Sequence, residues 1–399
     1  MRLSDIADLS TGGTPSRAIG EFFKGAIPWI KTLDLNNGWV TGSEESITER
    51  ALQSFRGEIY PVGTVVVAMY GGAGTIGKSG ILGVPAAINQ ALCALPPRPE
   101  IWDPEFLNLW LQCVRPEWMR FSAGNRKDPN INKQVVANMK LRLPPLHEQR
   151  RIRESLATSL MASNSCVTKT REQIDDAEKI VGALLAEEFP GFTPIQTRLG
   201  ARVKDDWRWQ RLTDLARLES GHTPSRRHPE WWGGHVPWLA LPDIRKLHGK
   251  YAYETTENTN DAGLANSSAR LLPPGTVCLS RTASVGFVTI LGKPMATSQD
   301  FCNWICGPDL DPEFLMYAFM ASQDALRELG SGAVHKTIYM PTIQTFHICV
   351  PEIDEQRRIA RTLRERLAAA EALTVGLKAR LADIERLPQR LLAAAFHQH

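Results

Sequence analysis

The sequence predicts an α+β fold of two tandem, pseudo-symmetric domains, each followed by a long helix, with the two helices packed as an antiparallel coiled-coil spacer. Two observations predict it: the 399-residue chain repeats itself once, and each copy changes composition abruptly where its helix should begin. The predicted boundaries are 1–146 for the first domain, 147–190 for the central helix, 191–206 for a linker, 207–353 for the second domain and 354–399 for the C-terminal helix.

The composition is that of an ordinary soluble globular protein, with 43% hydrophobic and 22% charged residues. A net charge of +3 is too balanced to indicate a polyanionic partner by bulk charge, so any nucleic-acid surface must be local. Seven scattered cysteines without zinc-ligand spacing exclude a disulfide scaffold and favour a reducing compartment. With no signal sequence and no apolar run of about 18 residues, we expect a cytoplasmic protein without a membrane partner.

The internal repeat consists of short landmarks that occur in the same order in both halves. They are Gly-x-Thr-Pro-Ser-Arg, Pro-Trp, a single Asp, a single Gln, Asp-Pro-Glu-Phe-Leu and Glu-Gln-Arg-Arg-Ile. The copies begin at Gly12 and Gly221, Pro28 and Pro237, Asp34 and Asp243, Gln90 and Gln299, Asp103 and Asp311, and Glu148 and Glu355. Their spacing drifts only from 209 to 207 residues, so one unit is used twice.

Within each copy, the first part is rich in Gly, Pro, Trp and short β-branched runs. Segments 63–69 and 275–279 are typical of short strands between turns. A helix is predicted after each Asp-Pro-Glu-Phe-Leu, because Asp is a good N-cap and Pro is favoured at the first helical position.

The second part of each copy is almost free of Gly and Pro and shows apolar residues at steps of three and four, as expected for a packed helix. The C-terminal stripe is Ile359, Leu363, Leu367, Ala370, Leu373, Leu377, Leu381, Ile384, Leu387 and Leu391. The looser central stripe is Ile152, Leu156, Leu160, Val167, Ile174, Val181, Leu184 and Leu185. Each rod would be roughly 60 Å long, with Pro388 bending or ending the second near Leu387 and Gly182 weakening the end of the first.

Two similar heads joined by a rod suit a target with two half-sites at a fixed separation, and duplex DNA is such a target. Because the heads differ between their shared landmarks, we expect the two half-sites to differ as well.

Further motifs connect the repeat to a known family. The landmarks, the loop Gly74-Thr75-Ile76-Gly77-Lys78, the pair Asn89-Gln90 and the segment Pro144-Pro145-Leu146-x-Glu148-Gln149-x-x-Ile152 together resemble the target-recognition domains of type I restriction–modification specificity subunits. The resemblance covers 3–190 and 212–397. The second half departs from it, with Arg281-Thr282-Ala283-Ser284-Val285-Gly286 lacking the lysine and Pro351-Glu352-Ile353 replacing the double proline.

The resemblance implies a non-catalytic subunit that reads a bipartite, asymmetric sequence in double-stranded DNA, one part per recognition domain. It implies two methyltransferase subunits that carry S-adenosylmethionine and methylate adenine after flipping it out. It also implies restriction subunits that use ATP and Mg. The chain itself would bind no cofactor and no metal, and its helices would set the gap between half-sites and dock the methyltransferases.

Two other functions compete with this interpretation. Gly72-Ala73-Gly74-Thr75-Ile76-Gly77-Lys78-Ser79 matches a phosphate-binding loop, but Gly80, Gly83 and Pro85 oppose the helix that such a loop requires. A stand-alone or orphan DNA-binding protein is the other alternative, which the presence of neighbouring methyltransferase genes would disfavour.

Candidate DNA contacts are polar and basic residues in turn-rich segments, since phosphates and base edges are bound by such groups. In the first half they are Arg17, Lys31, Tyr70, Lys78, Arg126, Lys127, Asn132 and Lys133. In the second half they are Arg226, Arg227, Arg281, His335, Lys336 and Tyr339. The alternative for each is a solvated surface side chain.

Other repeated residues have structural explanations. Trp29 and Trp238 are interpreted as packing anchors, because they recur in two heads that should read different bases. Asp34 and Asp243 are expected to cap a turn or to hold a nearby donor. The repeated Glu-Gln pairs are expected in the first turn of each long helix, near the positive end of its dipole. The glycines at 71, 72, 74 and 77 are expected to allow positive φ in a tight loop.

Overall fold

The computed structural model describes residues 1–70, 74–121, 131–199, 206–330 and 336–397, without the side chains of 119–121 and 397. It contains two compact units. Unit 1 comprises Met1–Arg171 and Ala379–His399, and unit 2 comprises Glu172–Lys378. In the part of the chain that is described, no helix combines the length and apolar content needed to cross a membrane.

The first half of the sequence forms two small sheets. Its strands β1–β8 are Ser10–Thr11, Ile27–Ile30, Trp39–Val40, Ser46–Ile47, Val65–Ala68, Ser79–Leu82, Ala87–Ile88 and Leu92–Leu95. One sheet has the order β1-β8-β5-β6-β3 and the other the order β4-β2-β7. Alternate residues of β5 enter different apolar clusters, Val65 and Val67 on one side and Val66 and Ala68 on the other, so the larger sheet is buried on both faces.

Short helices surround these sheets. They are α1 Leu3–Ile6, α2 Glu49–Ser54, α3 Pro104–Val114 and α4 Lys133–Asn138, with 3₁₀ turns at Gly20–Phe23 and Arg115–Phe121. The side chain of Asp103 accepts hydrogen bonds from the backbone N–H groups of Glu105 and Phe106, as an N-cap does. The predicted helix after Asp-Pro-Glu-Phe-Leu is therefore confirmed, cap included.

The second half repeats this topology. Its strands β9–β19 are Ile195–Gln196, Arg208–Arg211, Ala216–Ser220, Trp232–Leu239, Tyr251–Ala252, Glu257–Thr259, Val277–Ser280, Val288–Leu291, Ala296–Thr297, Phe301–Cys306 and His347–Val350. The sheets β11-β18-β15-β16-β13 and β14-β12-β17 reproduce, strand for strand, the order found in the first half. A further sheet, β10-β19-β9, includes Ile195–Gln196, so the segment predicted as a linker contributes an edge strand.

The helices of the second half follow the same plan. After the long helix α5 at Leu146–Glu188 they are α6 Leu212–Leu215, α7 Leu241–Leu247, α8 Asp261–Ala265, α9 Pro312–Ala321, α10 Gln323–Leu329 and α11 Met340–Ile343, with a 3₁₀ turn at Pro229–Trp231. Asp311 caps α9 through the N–H groups of Glu313 and Phe314, as Asp103 caps α3. The duplication read from the sequence thus extends to strand order, capping and packing.

The long helix that follows the second domain is α12 at Ile353–Glu385, and a shorter helix, α13, spans Leu387–His397. The break at Arg386 confirms the interruption expected near Pro388. Helices α5 and α12 are antiparallel in both units. In unit 1 Arg171 pairs with Glu385 at 2.8 Å, and in unit 2 Glu178 pairs with Lys378 at 2.7 Å and Glu187 with Arg366 at 2.8 Å.

The apolar stripes are corrected at Leu373 and Leu387 of the C-terminal stripe and along α5; Leu387 is 38% exposed. Leu373, predicted to face the partner helix, is 50% exposed, and Thr374 takes its position in the seam. In α5 the seam is completed by Ser163, Thr170 and Ala177, all buried. Because Ser163 and Thr170 are polar, they interrupt the apolar heptad, which is why the sequence pattern is loose.

Each long helical segment ends in a Leu-Leu-x-x-x-Phe tail. In unit 2 the tail Leu184, Leu185 and Phe189 packs into the main core, where Phe189 lies 5.7 Å from Phe314 between ring centroids. In unit 1 the tail Leu391, Leu392 and Phe396 lies in helix α13, and Phe396 meets Phe106 edge-on at 5.3 Å. Since Phe106 and Phe314 are repeat equivalents, each domain is covered by the tail of the other sequence half.

Candidate nucleic-acid interface

The Gly-x-Thr-Pro landmark and the repeated Gln form a clamp in both domains. The hydroxyl of Thr14 donates to Gln90 Oε1, and that of Thr223 donates to Gln299 Oε1. A Cβ added at Gly12 would lie 1.8 Å from the carbonyl oxygen of Ile88. Because the same contacts occur in both domains, these landmarks stabilise the fold that the domains share. A residue that contacted a base would not be expected to recur in two domains with different targets.

The Pro-Trp and Asp landmarks are also structural, as predicted. Trp29 is 2% exposed and donates its indole N–H to the carbonyl of Gly13 at 3.1 Å, and Trp238 donates to His222 at 3.2 Å. Asp34 accepts from the backbone N–H of Lys31 at 2.7 Å. Asp243 likewise accepts from the N–H of Ala240, at 3.3 Å.

The candidate contacts Arg17 and Arg226 are repeat equivalents engaged in equivalent ion pairs. Arg17 binds both carboxylate oxygens of Glu45 at 2.7 and 2.8 Å and lies 4.4 Å from the ring centroid of Phe23. Arg226 binds Glu257 in the same bidentate way, at 2.7 and 2.6 Å. The hydrogen bond from Arg17 lowers the pKa of Glu45 to about 2. Each arginine is exposed in its own unit, so a phosphate would have to compete with a carboxylate already in place.

Lys31 lies in the same network. Its ammonium group is 2.8 Å from Glu44 and 3.2 Å from Glu45. The residue at this position of the second repeat is Ala240. Lys31 therefore distinguishes the two domains, yet its charge is balanced within the first.

The turn between β5 and β6 carries the candidates Tyr70 and Lys78. Gly74 and Gly77 have φ values of +82° and +69°, as expected for a tight loop, while Gly71 and Gly72 lie outside the described residues. The residues directly after Lys78 form strand β6, whereas a phosphate-binding loop requires a helix there. The nucleotide-binding interpretation is therefore not supported by the local fold.

Arg115, which sequence reasoning missed, holds this turn. Its Nε donates to the carbonyl of Ile76 at 3.2 Å, and its Nη2 donates to the carbonyl of Gly74. Burial lowers the pKa of Arg115. No local pattern marks it, because the turn it binds lies about 40 residues earlier in the chain.

The basic loop predicted in the first half lies largely beyond the described residues, which exclude Arg126 and Lys127. At its end Asn132 caps α4, its side chain accepting from the N–H of Val135 at 3.0 Å, and Lys133 is exposed. Backbone pairing of Ile131 N–H with the carbonyl of Met69, at 2.9 Å, brings this segment beside the turn that contains Tyr70.

The equivalent arrangement in the second half joins Arg281 to Lys336. Ile338 donates to the carbonyl of Arg281 at 2.8 Å, and Ala283 donates to the carbonyl of Lys336 at 3.0 Å. Tyr339 is 60% exposed at the start of α11. His335 is outside the described residues, and Arg227 is exposed on a separate turn next to Arg226.

Two further arginines that were not predicted lie beside this turn. Arg245, in the last turn of α7, and Arg327, on α10, both approach the ring of Phe287, with guanidinium carbons 5.9 and 5.8 Å from its centroid. Arg245 follows Asp243 by two residues, so the repeated landmark could have drawn attention to it, whereas no landmark lies near Arg327 in the sequence.

In the described ranges, no three His, Cys, Asp or Glu side chains come together as a metal site.

Comparison with known proteins is consistent with this arrangement. The family model described as the type I restriction modification DNA specificity domain matches residues 1–175 and again 204–382. The MjaIX specificity subunit of Methanocaldococcus jannaschii is 28% identical over 170 residues, which are 42% of this chain and 39% of that one. The HindI specificity subunit of Haemophilus influenzae is 30% identical over 133 residues, 33% of this chain and 28% of that one. These matches therefore span well under half of the relatives' lengths.

A longer match and two solved structures cover the whole repeat. The MjaVIII specificity subunit of M. jannaschii is 21% identical over 385 residues, 91% of this chain and 84% of that one. A chain from a structure concerned with complex assembly and conformational transition of the type I R-M system superposes with a TM-score of 0.75 at 20% identity, covering 99% of this chain and 96% of the other. The HsdS subunit from Thermoanaerobacter tengcongensis superposes with a TM-score of 0.67 at 20% identity, covering 99% and 95%. The two-domain fold is shared with both.

Proposed function

This chain belongs to the type I restriction–modification DNA specificity family, and we propose that it is the non-catalytic subunit that reads a bipartite, asymmetric sequence in double-stranded DNA. Each recognition domain would read one half-site, and the antiparallel pair α5 and α12 would set the number of base pairs between them.

The observation that carries the proposal is that the two domains share one scaffold but carry different side chains at the turn before β6 and β16. Strand order, the Thr–Gln clamp and the buried tryptophan are the same in both domains. The residue directly before the strand at the turn edge is Lys78 in one domain and Phe287 in the other. Such a molecule would present different chemistry to two half-sites from the same scaffold.

The proposed partners follow from the family. Two methyltransferase subunits, each with S-adenosylmethionine, would dock on the recognition domains and long helices and methylate an adenine flipped out of each half-site. Restriction subunits using ATP and Mg would join that complex. The chain itself would supply sequence recognition and docking surfaces and would hold neither cofactor.

The test is co-expression with the neighbouring methyltransferase subunit in a host that lacks adenine methylation, followed by modification-sensitive sequencing. We expect methyladenine in both parts of one two-part asymmetric motif. DNA binding without methylation would favour the orphan DNA-binding alternative. Failure both to form a complex and to bind DNA would refute the proposal.

The nucleotide-binding alternative has its own test. We expect no ATP affinity in calorimetry for the wild-type chain and no change in Lys78→Ala. Measurable ATP affinity that disappears in Lys78→Ala would revive it.

A further inference from the structure

We propose that Arg245 and Arg327, which flank Phe287, form together with Lys336 and Arg281 on the adjoining segments a binding site for backbone phosphates of duplex DNA on the second recognition domain. This inference rests on the proposed function and names the part of unit 2 that would contact the DNA backbone. We call these four cations and the ring the Phe287 cluster.

The cluster is assembled from four separate segments of unit 2. Arg245 comes from α7, Arg281 from the turn after β15, Arg327 from α10 and Lys336 from the segment before α11. A backbone hydrogen bond from Ala283 N–H to the Lys336 carbonyl, at 3.0 Å, joins the turn after β15 to the segment before α11. A fold that collects cations from distant parts of the chain creates a local positive surface that net charge does not reveal.

Contacts within the cluster orient the cations and, among the described residues, engage one hydrogen bond of each cationic side chain. Arg245 Nε lies 3.4 Å from the hydroxyl of Ser284, and Lys336 Nζ lies 3.5 Å from the carbonyl of Arg327. Arg245 and Lys336 are exposed, and Arg327 is 44% exposed at its side chain. The Phe287 ring lies within about 6 Å of both guanidinium groups, a distance at which cation–π attraction holds them.

The balance of charge favours an external anion. Within the cluster, Arg327 pairs with the carboxylate of Asp324 at 3.3 Å. The side chain of Asp324 is 96% exposed, so solvent screens this ion pair. The Nη1 of Arg281 donates to the carbonyl of Ile338 at 3.5 Å, and no ion pair of Arg281 with a carboxylate is found among the described residues. This contrasts with Arg17 and Arg226, whose charges are each balanced by a bidentate carboxylate.

Duplex DNA is the anion that fits this layout. Guanidinium and ammonium donors spread over several segments match a row of phosphates, because each phosphate oxygen accepts hydrogen bonds without regard to base sequence. Arg281 belongs to the turn 281–286, whose Ser284 contacts Arg245, and this turn corresponds to the one holding Tyr70 and Lys78 in the first domain. We therefore expect it to strengthen binding to any sequence and to leave the choice of half-site unchanged.

The test measures affinity of the full chain for a fluorescein-labelled duplex of mixed sequence between about 50 and 200 mM salt. We expect Arg245→Ala, Arg327→Ala and Lys336→Ala each to weaken binding several-fold and to reduce the slope of log affinity against log salt by about 0.9. Arg245→Lys should keep the wild-type slope, and Asp324→Asn should increase affinity by releasing Arg327. Arg361→Ala, an exposed arginine on α12, is the matched control.

The outcomes distinguish failure of the phosphate site from failure of the proposed function. Wild-type binding with unchanged slopes in all three variants would overturn the phosphate site while leaving the proposed function intact. No binding by the wild-type chain would overturn both. If a variant loses its folded baseline in thermal melts, Arg245→Lys and Asp324→Asn still decide the question. Inorganic phosphate that competes with the duplex no better than chloride at equal ionic strength would identify the DNA backbone, and not free phosphate, as the ligand.

Discussion

The side-chain oxygen of Gln149 accepts a hydrogen bond from the backbone N–H of Asp103 at 2.9 Å, inside a fully buried pocket. Its amide group donates to the carbonyls of Ile101 at 3.0 Å and Pro144 at 2.8 Å. Gln356 makes the same three kinds of bond in the second half, accepting from Asp311 at 3.0 Å. One buried amide thus joins the start of each long helix to the capped helix of its own domain.

We expect Gln149→Ala and Gln356→Ala each to lower the free energy of unfolding by about 2–4 kcal/mol, because each removes the partner of one backbone N–H and of two backbone carbonyls that are buried or partly buried. Urea denaturation followed by tryptophan fluorescence measures the change. Gln53→Ala, at an exposed position on α2, is the control and should stay within about 0.5 kcal/mol of wild type. Equal effects at Gln53 and Gln149 would contradict the buried-clamp interpretation.

The aromatic tails should stabilise different units. Phe189→Ala removes a buried ring from the core of unit 2 and should cost about 3–4 kcal/mol, while the partly buried Phe396→Ala should cost less. Limited proteolysis with mass-spectrometric mapping should place the new cleavages in unit 2 for Phe189→Ala and in unit 1 for Phe396→Ala. Cleavage in the same unit for both variants would contradict the assignment, and Met161→Ala, at an exposed position, should change neither pattern.

Acid should weaken the first domain through Glu45. Arg17 lowers the pKa of Glu45 from 4.5 to about 2, so the folded state holds the carboxylate more strongly than the unfolded state does. The stabilisation is therefore complete above pH 4.5 and disappears as the pH falls toward about 2. Because Arg17 is largely exposed, Glu45→Gln should cost only about 0.5–1 kcal/mol at neutral pH. A difference between wild type and Glu45→Gln that persisted at pH 2, measured by chemical denaturation, would refute this account.

Replacing either of two glycines within the long helices by alanine should stabilise the fold. Gly182 in α5 and Gly376 in α12 have open space where a Cβ would be. Gly182→Ala and Gly376→Ala should therefore each raise the free energy of unfolding by about 0.5–1 kcal/mol. Gly77→Ala is the opposite case, with φ at +69° and an added Cβ 2.9 Å from Arg115 Cγ, and should destabilise. Thermal melts of the three variants test the contrast, and a loss of stability in Gly182→Ala would indicate a contact at that face.

The sequence predicted the features that depend on local rules or on repetition. The repeat itself determined the paired sheets, and Asp103 and Asp311 were recognisable as caps because capping needs only a few adjacent residues. The seam was harder, since Ser163 and Thr374 occupy positions where an apolar residue was expected. A polar side chain at a heptad position interrupts the apolar pattern in the sequence, and only the contact with the partner helix shows that the position is buried.

The candidate interface was predicted less completely, because pairing between distant residues leaves no local pattern. Arg17 was chosen for its charge, yet Glu45 lies 28 residues away and neutralises it. The Glu-Gln landmark was assigned to the helix dipole on the strength of its acid, whereas the buried glutamine carries the tertiary contacts. Arg327 acquires its role only from Phe287 and Lys336, which the fold brings to it.

The exchanged tails also bear on ancestry. An ancestor of half this length, ending near residue 190, would have carried Leu184, Leu185 and Phe189 and needed the Phe106 surface of a second molecule to bury them. Gene duplication with fusion would have turned that intermolecular contact into an intramolecular one, which no longer depends on concentration. With two copies in one polypeptide, a mutation in one domain would not have to appear in the other, so the two domains could diverge independently.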